Sequence, residues 1–596
     1  MGILQGVAKA CDAYDRFVDA EVRRARSEGD FARSLLARWK QIRAKVPTVR
    51  TPTGIELPRL ALPETDEPGE IARYLLGQGL PGEFPFLNAV YPEMYLEPLH
   101  TRGGNGNGAT TASKAPEEPM RLIAGLGLAD DTNARFHYLR KHQKSARLST
   151  AFDGPTLYGM DSDEEGVFGK IGEGGVAIDT VEDMQRLYDG FDLTDPGSSV
   201  SMTINGPAPI ILAMFVAAAK RRFGKDCVAK LRGTVQADVL KEVQAQNEVI
   251  FPIDASLRFL GDMVEYCTKK MPRWYPISIS GYHIAEAGST PVQQAAYTLS
   301  NGFQYVELFR ERGMDVKEFG PRLSFFLDCG LDIEYLALAR VCRKIWAIGM
   351  RDVFDADDRA QQFKLHTQTS GRSLVAQSFK NNLTRTAIEL MLAYMNATNS
   401  CHSNSADEPF TTPGEEYVRL AANAQSIILE ETGLFKHMMN TLPGSPGMRE
   451  VEKAVQRGIL EEFRAMDELG GVLAAVEHRY QRSQIQTAAH TYERQIYSTE
   501  RPIIGLNRYA DESSNGAAEL RMVRTAREKK QLQVDRVRAF KKRNRNKSER
   551  ALDELSEVVD SGGNLFEKLI GTVEVCTLGQ ITQRVHEQVG HFRPMV

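Results

Sequence analysis

Short strand-like runs, each leading through a polar turn into a longer helical pattern, predict an α/β protein. The fold class expected is a (β/α)8 TIM barrel with an N-terminal extended arm and a helical C-terminal region. Seven or eight such units begin near residue 147, and their span of about 280 residues matches the size of that barrel. A doubly wound open sheet is the alternative. Past residue 430 only helical periodicity continues. The expected division is 1–83 for the N-terminal helix and arm, 84–430 for the barrel, and 431–596 for helices that supply subunit contacts.

In chain order, FARSLLARWKQIRAKV reads as an amphipathic helix, and the Pro-rich TVRTPTGIELPRLALPETDEPG as an extended arm lying on another surface. The polar, low-complexity stretch from Thr101 to Glu118 reads as a flexible surface loop. The strands are RLSTAFD, VSMTING, RGTVQAD, PISISGYH, RLSFFLD, KLHTQTSG and SCHSNSADE, with helices such as PIILAMFVAAAKRRFG and IEYLALARVCRKIWAIGM between them. The basic run from Arg524 to Arg550 has no interleaved aromatic beyond Phe540, which favours a solvated helical face or a subunit contact over nucleic acid.

The strands depart from an ordinary barrel, whose axis is filled by Val, Ile and Leu. Here alternate positions are small or polar: Ser201, Thr203 and Asn205; Thr234, Gln236 and Asp238; Ser278 and Ser280; His366 and Gln368. Residues two apart share one strand face, and burying such groups without partners costs roughly 1–3 kcal/mol each. Either they cluster at strand ends, as polar residues do in any βα loop, or the axis is open to an elongated hydrogen-bonding ligand.

Composition narrows the function class. A net charge of −4 argues against a nucleic-acid binder, and no apolar run is long enough to span a bilayer. Seven cysteines without a CxxC suit reduced thiols, and MGILQGVAKACDAYDRF resembles no signal peptide, so a cytoplasmic location is expected. HEQVGH holds His586 and His591 five apart, the wrong spacing for a helical zinc pair. LIAGLGLADDTN, Leu122 to Asn133, lacks both the preceding strand and the third glycine of a dinucleotide fingerprint. SISGYHIAEAG is more informative, because its strand ends at Tyr282 and His283 with Glu286 one turn on. Together with Gln236, His366/Gln368 and His402/Asn404/Glu408, each closing a small-residue strand, it points to chemistry at the barrel mouth. No strand end shows a Schiff-base lysine or a metal-ligand cluster, so no metal site is expected and an aldolase or metallohydrolase is disfavoured.

At these residues the chain resembles the large, substrate-binding chain of the adenosylcobalamin-dependent acyl-CoA mutases, the methylmalonyl-CoA mutase superfamily. The matching segments include FPFLNAVYPEMY, RLSTAFD, SVSMTINGPAP, GTVQADVLKEVQAQN, SISGYHIAEAG, FGPRLSFF, HTQTSGRSL, CHSNSADEPFTTP and PIIGLN, and they are most similar to the isobutyryl-CoA mutase type. The resemblance implies a barrel split along its axis with the CoA pantetheine threaded through it. It implies that His283 donates to the thioester carbonyl, with Gln236 and Thr234 beside the acyl group and Tyr282 in the catalytic set. Arg322, Ser324, His366 and Gln368 would hold the CoA chain, and Arg121 a phosphate or the loop facing it. Asn404, Glu286 and Glu408, with Tyr282, would face the deoxyadenosyl group, and Gly125 would leave room for it. The reaction implied is a radical 1,2-migration of the thioester carbonyl group, with the cofactor supplying the radical chemistry.

None of the eleven histidines lies in the DxHxxG motif by which family members ligate cobalt. The resemblance therefore implies a separate small cobalamin-binding subunit, a homodimer of this chain giving a heterotetramer, and a G-protein chaperone as a further candidate partner. Two positions bear on substrate. Gln246 stands where methylmalonyl-CoA mutases carry the Arg that pairs the substrate carboxylate, so a neutral acyl chain is expected. Ile123 stands in place of an aromatic residue, which implies room for a bulkier branched chain such as isovaleryl-/pivalyl-CoA, with isobutyryl-/n-butyryl-CoA the other neutral candidate. 2-Hydroxyisobutyryl-CoA ranks second, since Ala151 occupies the place of the acidic residue that binds its hydroxyl. Methylmalonyl-CoA and a non-catalytic paralogue follow.

Overall fold

The computed structural model describes residues 2–96, 121–141, 145–439, 444–510 and 524–592. The Thr101–Glu118 loop expectation falls outside them.

The chain opens with helix Ile3–Ser27, whose buried residues Leu4, Val7, Cys11, Tyr14, Val18, Val22 and Ala25 form one stripe at helical spacing. That stripe packs on helices Leu338–Asp352 and Pro446–Glu468. Helix Gly29–Lys45 follows and buries Trp39. The expected extended arm is partly paired with itself: β1 (Thr48–Arg50) and β2 (Glu56–Pro58) form a short antiparallel hairpin.

The central α/β region is mostly helical and contains two parallel sheets. The first joins β3 (Leu122–Ala124), β4 (Ala146–Ala151), β5 (Ser198–Thr203), β6 (Gly233–Val235) and β7 (Trp274–Tyr275) in that order. The second joins β8 (Ile277–Ser280), β9 (Leu323–Cys329), β10 (Leu365–Thr369) and β11 (Ser400–His402). Pro276, which has no N–H to give, separates β7 from β8. Two backbone bonds cross between the sheets: Ser278 N–H to Gln236 O at 3.0 Å, and Arg121 N–H to Cys401 O at 3.2 Å.

Burial alternates along the strands. Val200, Met202, Phe325 and Leu365 are buried in the core, whereas Ser201, Thr203, Thr234, Ser324, His366 and Gln368 are only partly covered. These partly covered residues escape the cost that sequence alone attached to them, whereas Asn205, Gln236, Asp238 and Ser280 are buried and offset it with hydrogen bonds.

The segment Phe84–Asn88 is fixed on the core by the wholly buried Arg343. Its guanidinium donates to the carbonyls of Phe86 (2.9 Å), Leu87 (2.9 Å) and Asn396 (2.6 Å). Burial, with Arg340 adjacent, lowers its pKa to about 9.

Among the described residues beyond 444 every element is helical, save one isolated bridge between Ile504 and Arg508. The basic run lies in helix Arg527–Ser561, where Arg538, Lys542, Arg545, Lys547 and Arg550 form the expected solvated face, while other cations of the run meet the chain itself. The helix is docked on acidic residues of its own chain: Lys530 on Glu173 (2.7 Å), Arg536 on Asp130 (2.7 Å), and Lys541 on Asp161 (2.9 Å) and Asp163 (2.6 Å). Lys529 pairs with Asp131 and Arg543 with Glu182. Asp130 and Asp131 start helix Ala129–Arg140, so the acidic end of LIAGLGLADDTN receives cations rather than a phosphate. Among the described residues no helix is long and apolar enough to cross a membrane.

Candidate active site

β8 ends in Ser280 and Gly281, and the short helix Tyr282–Glu286 starts there. A Cβ on Gly281 would lie 2.3 Å from Thr298 Oγ1, so only glycine makes this turn. His283 Nδ1 lies 2.8 Å from Ser280 Oγ and 3.4 Å from Gln236 Nε2. Gln236 is 3% exposed and is followed by Ala237 at φ 51, a left-handed conformation that a residue with a Cβ adopts at a cost. Burial, reinforced by the Lys241 charge, holds His283 well below the ordinary histidine range. The imidazole is therefore neutral at pH 7.

Tyr282 joins the ends of β10 and β11. Its oxygen accepts from Gln368 Nε2 (3.1 Å) and Asn404 Nδ2 (3.4 Å), and Gln368 Nε2 also donates to Asn404 Oδ1 (2.7 Å). Burial, with Glu286 and Glu408 near, holds the Tyr282 hydroxyl protonated. Glu408 is exposed, and lost hydration, with Glu286 and Asp407 near, raises its carboxyl to about 7. Its Oε2 accepts from Ser405 N–H at 3.2 Å.

Glu286 and Gly125 also serve the fold. Glu286 Oε1 is engaged by the loop after β10, accepting from the backbone of Gly371 (2.8 Å) and Arg372 (3.2 Å). A Cβ on Gly125 would lie 2.2 Å from the Ala151 carbonyl oxygen, so the neighbouring strand already requires the glycine without any adenosyl group.

Toward the strand starts, Arg121 donates to Ser201 Oγ (2.8 Å) and His366 Nδ1 meets Ser400 Oγ (2.8 Å). Thr234 sits beside Ser201 in register. Burial and the Arg121 charge hold His366 well below its ordinary pKa, and burial lowers His402 to about 4. Ser324 donates to Ile277 O at 3.0 Å. Arg322 donates from Nη1 to the carbonyls of Cys267 (3.2 Å) and Met271 (3.1 Å), which end helix Ile253–Lys270, so that part of its guanidinium serves the fold.

Ile123 is half-buried on β3, beside Ser149 of β4. Gln246 caps helix Val239–Ala245, and its Oε1 accepts from Lys241 Nζ at 2.9 Å. Lys241 is wholly buried and paired with Glu242.

Sequence reasoning missed the ring that ties the groups together. Phe326 stacks on Tyr282 at 4.9 Å and 4°, and lies 5.8 Å from the His283 ring and 5.0 Å from that of His366. Its signal was its position two residues after Ser324 on the same strand face. Lys241, Glu242 and Asn205 were likewise absent from the expected site.

Residues 50–591 match the family model described as Methylmalonyl-CoA mutase. The chain is 42% identical to a fused isobutyryl-CoA mutase of Geobacillus kaustophilus over 94% of its own length and 54% of that protein's. It is 42% identical to that of Nocardia farcinica over 96% and 55%. It is also 37% identical to the 2-hydroxyisobutanoyl-CoA mutase large subunit of Aquincola tertiaricarbonis, over 86% of this chain and 88% of that one. The chain thus spans about half the length of the fused relatives it matches. A family match across nearly all of the chain, over strands ending in this His283–Gln236–Tyr282 cluster, shows that the chain belongs to the methylmalonyl-CoA mutase family.

Proposed function

We propose that this chain is the substrate-binding part of an adenosylcobalamin-dependent acyl-CoA mutase, an isomerase acting on a neutral branched short-chain acyl-CoA. The observation that carries the reading is His283: a neutral imidazole at a strand end, held by Ser280 and Gln236 above a partly open polar strand face. We read the two sheets as one barrel opened along its axis. Nine parallel strands, β3 to β11, run in sequence order through the two sheets, and the Ser278–Gln236 and Arg121–Cys401 bonds link the sheets, which supports this.

In this reading the thioester carbonyl accepts a hydrogen bond from His283, with Gln236 and Thr234 beside the acyl group. A donor aimed at developing charge in a water-poor site supplies about 2.7–4 kcal/mol of barrier lowering. Ser201, Ser324, His366 and Gln368 offer the pantetheine amides hydrogen-bond partners, and Arg121 adds positive charge. Adenosylcobalamin, when bound, supplies the radical chemistry. Glu408 accepts from its ribose hydroxyls, while Tyr282, Gln368 and Asn404 shape the space beside it and exclude water.

The cobalt-ligating DxHxxG module lies outside residues 1–596, and we place it in a separate small subunit. The relative of matching length is itself named a large subunit, which supports the separate arrangement. The names of the fused relatives favour a covalently continuous one.

For substrate, Gln246 presents an amide held by Lys241 in place of a guanidinium, and the nearby Arg482 is spent on the carbonyls of Val243 (2.7 Å) and Gln246 (2.8 Å), which disfavours methylmalonyl-CoA. The 2-hydroxyisobutanoyl-CoA relative supports the hydroxyacyl substrate as second reading. Supplying the chain with adenosylcobalamin and a DxHxxG module, then offering isobutyryl-, isovaleryl-, pivalyl-, 2-hydroxyisobutyryl- and methylmalonyl-CoA, tests both points. A neutral branched acyl-CoA is expected to give the highest kcat/KM, and preference for methylmalonyl-CoA refutes the Gln246 argument.

A further inference from the structure

Gln236 can turn either end of its amide toward His283, and the two choices demand opposite imidazole tautomers. Its surroundings decide. The backbone N–H of Asp238 donates to Asn205 Oδ1 at 3.0 Å. The NH2 of Asn205 then meets two acceptors, Glu242 Oε1 at 2.5 Å and Gln236 Oε1 at 3.0 Å. Glu242 Oε1 also accepts from Nζ of the buried Lys241, so it faces Asn205 as an acceptor. A backbone donor on one side and a carboxylate on the other leave Asn205 a single orientation. Gln236, its Oε1 engaged by Asn205, must present Nε2 to His283 Nδ1. Ser280 Oγ cannot choose the tautomer, because a hydroxyl donates or accepts equally well. Asn205, Gln236, Asp238, Glu242 and Ser280 are all buried.

The geometry points to Asn205 as a positioning residue: clamped by the Asp238 N–H and the Glu242 carboxylate, it orients Gln236 so that His283 accepts at Nδ1 and carries its proton on Nε2. What the Nε2–H then does, donating to a thioester carbonyl, rests on the mutase reading; the tautomer does not.

The tautomer is read directly by solid-state 15N NMR of the 596-residue chain labelled at its histidine nitrogens, with His283→Gln identifying the resonances. Unprotonated Nδ1 and protonated Nε2 are expected for His283. Asn205→Ala frees the Gln236 amide, and a second resonance pair from the Nδ1–H form is expected. Gln236→Glu sets an acceptor against Nδ1, and conversion to the Nδ1–H form is expected even where Asn205→Ala does not fold. A wild-type His283 protonated at Nδ1 overturns the relay, as does an Asn205→Ala chain that keeps a single Nε2–H form. With the cobalamin module present, Asn205→Ala should lower kcat roughly 10-fold, less than the 10²–10³ of deleting a donor outright, with KM little changed. A chain that shows the expected tautomers but turns over no acyl-CoA supports the relay and overturns the mutase reading.

Discussion

Gly125 and Phe326 illustrate what single residues do here. The Ala151 carbonyl lies where a Gly125 Cβ would go, and a strand carbonyl cannot step aside as a flexible side chain does. Gly125→Ala is expected to cost about 1–3 kcal/mol in urea unfolding, as overpacking does. Unchanged stability, with only cofactor affinity lost, would instead restore the adenosyl-room explanation. Gln236, Gln368 and Asn404 were legible in the sequence because a period of two puts polar residues on one strand face, and Tyr282 and His283 because they close a strand of small residues. Phe326 was not, since an aromatic in a strand reads as core. Asn205 and Lys241 were legible as residues but not as a relay: their partners are set by how β5, β6 and the helix after β6 meet in three dimensions.

At the scale of elements, helix Arg527–Ser561 shows the limit of reading charge from sequence. Its basic periodicity was plain, but the acids it meets lie some four hundred residues away, on turns and helix starts that no local pattern ties to it. Not all of its pairs matter equally. Lys541 meets Asp161, which is 1% exposed, whereas Arg543 and Glu182 are 55% and 32% exposed. Lys541→Ala is expected to cost about 2 kcal/mol, below the 3–5 of a wholly buried pair because Lys541 still reaches water. Arg543→Ala should cost less than about 1 kcal/mol. Equal losses in a denaturant titration would mean that Asp161 is satisfied by Thr577 and Gly579 alone.

Across the whole molecule, one core runs from Leu4 to Val585, so the N-terminal helices and the C-terminal helices are packed into the α/β body. The alternation of strands and helices was readable because each strand is short and bounded by turn residues; the β1–β2 hairpin was not, because proline content masked its pairing. Buried acids and histidines give this body opposing pH dependences. Burial, with Glu286 near, raises Asp328 to about 7, so its contribution to stability is full below about pH 4 and is lost as pH rises through 7. His283, His366 and His402 are depressed, and their contribution is present above about 6.5 and lost as pH falls through their folded values, about 4 for His402. Asp328→Asn should therefore compare better with the wild type at pH 8 than at pH 5 in urea midpoint. A constant difference would show that Asp328 ionises normally.

The most direct test of the central claim, that this fold rearranges an acyl-CoA by radical chemistry, is electron paramagnetic resonance of the chain with adenosylcobalamin and a DxHxxG module on adding isobutyryl-CoA. A signal from cobalt coupled to an organic radical, formed only with both the chain and the acyl-CoA present and accompanied by isomerised product, is the result predicted. No such signal and no product with any of the neutral acyl-CoAs would contradict it.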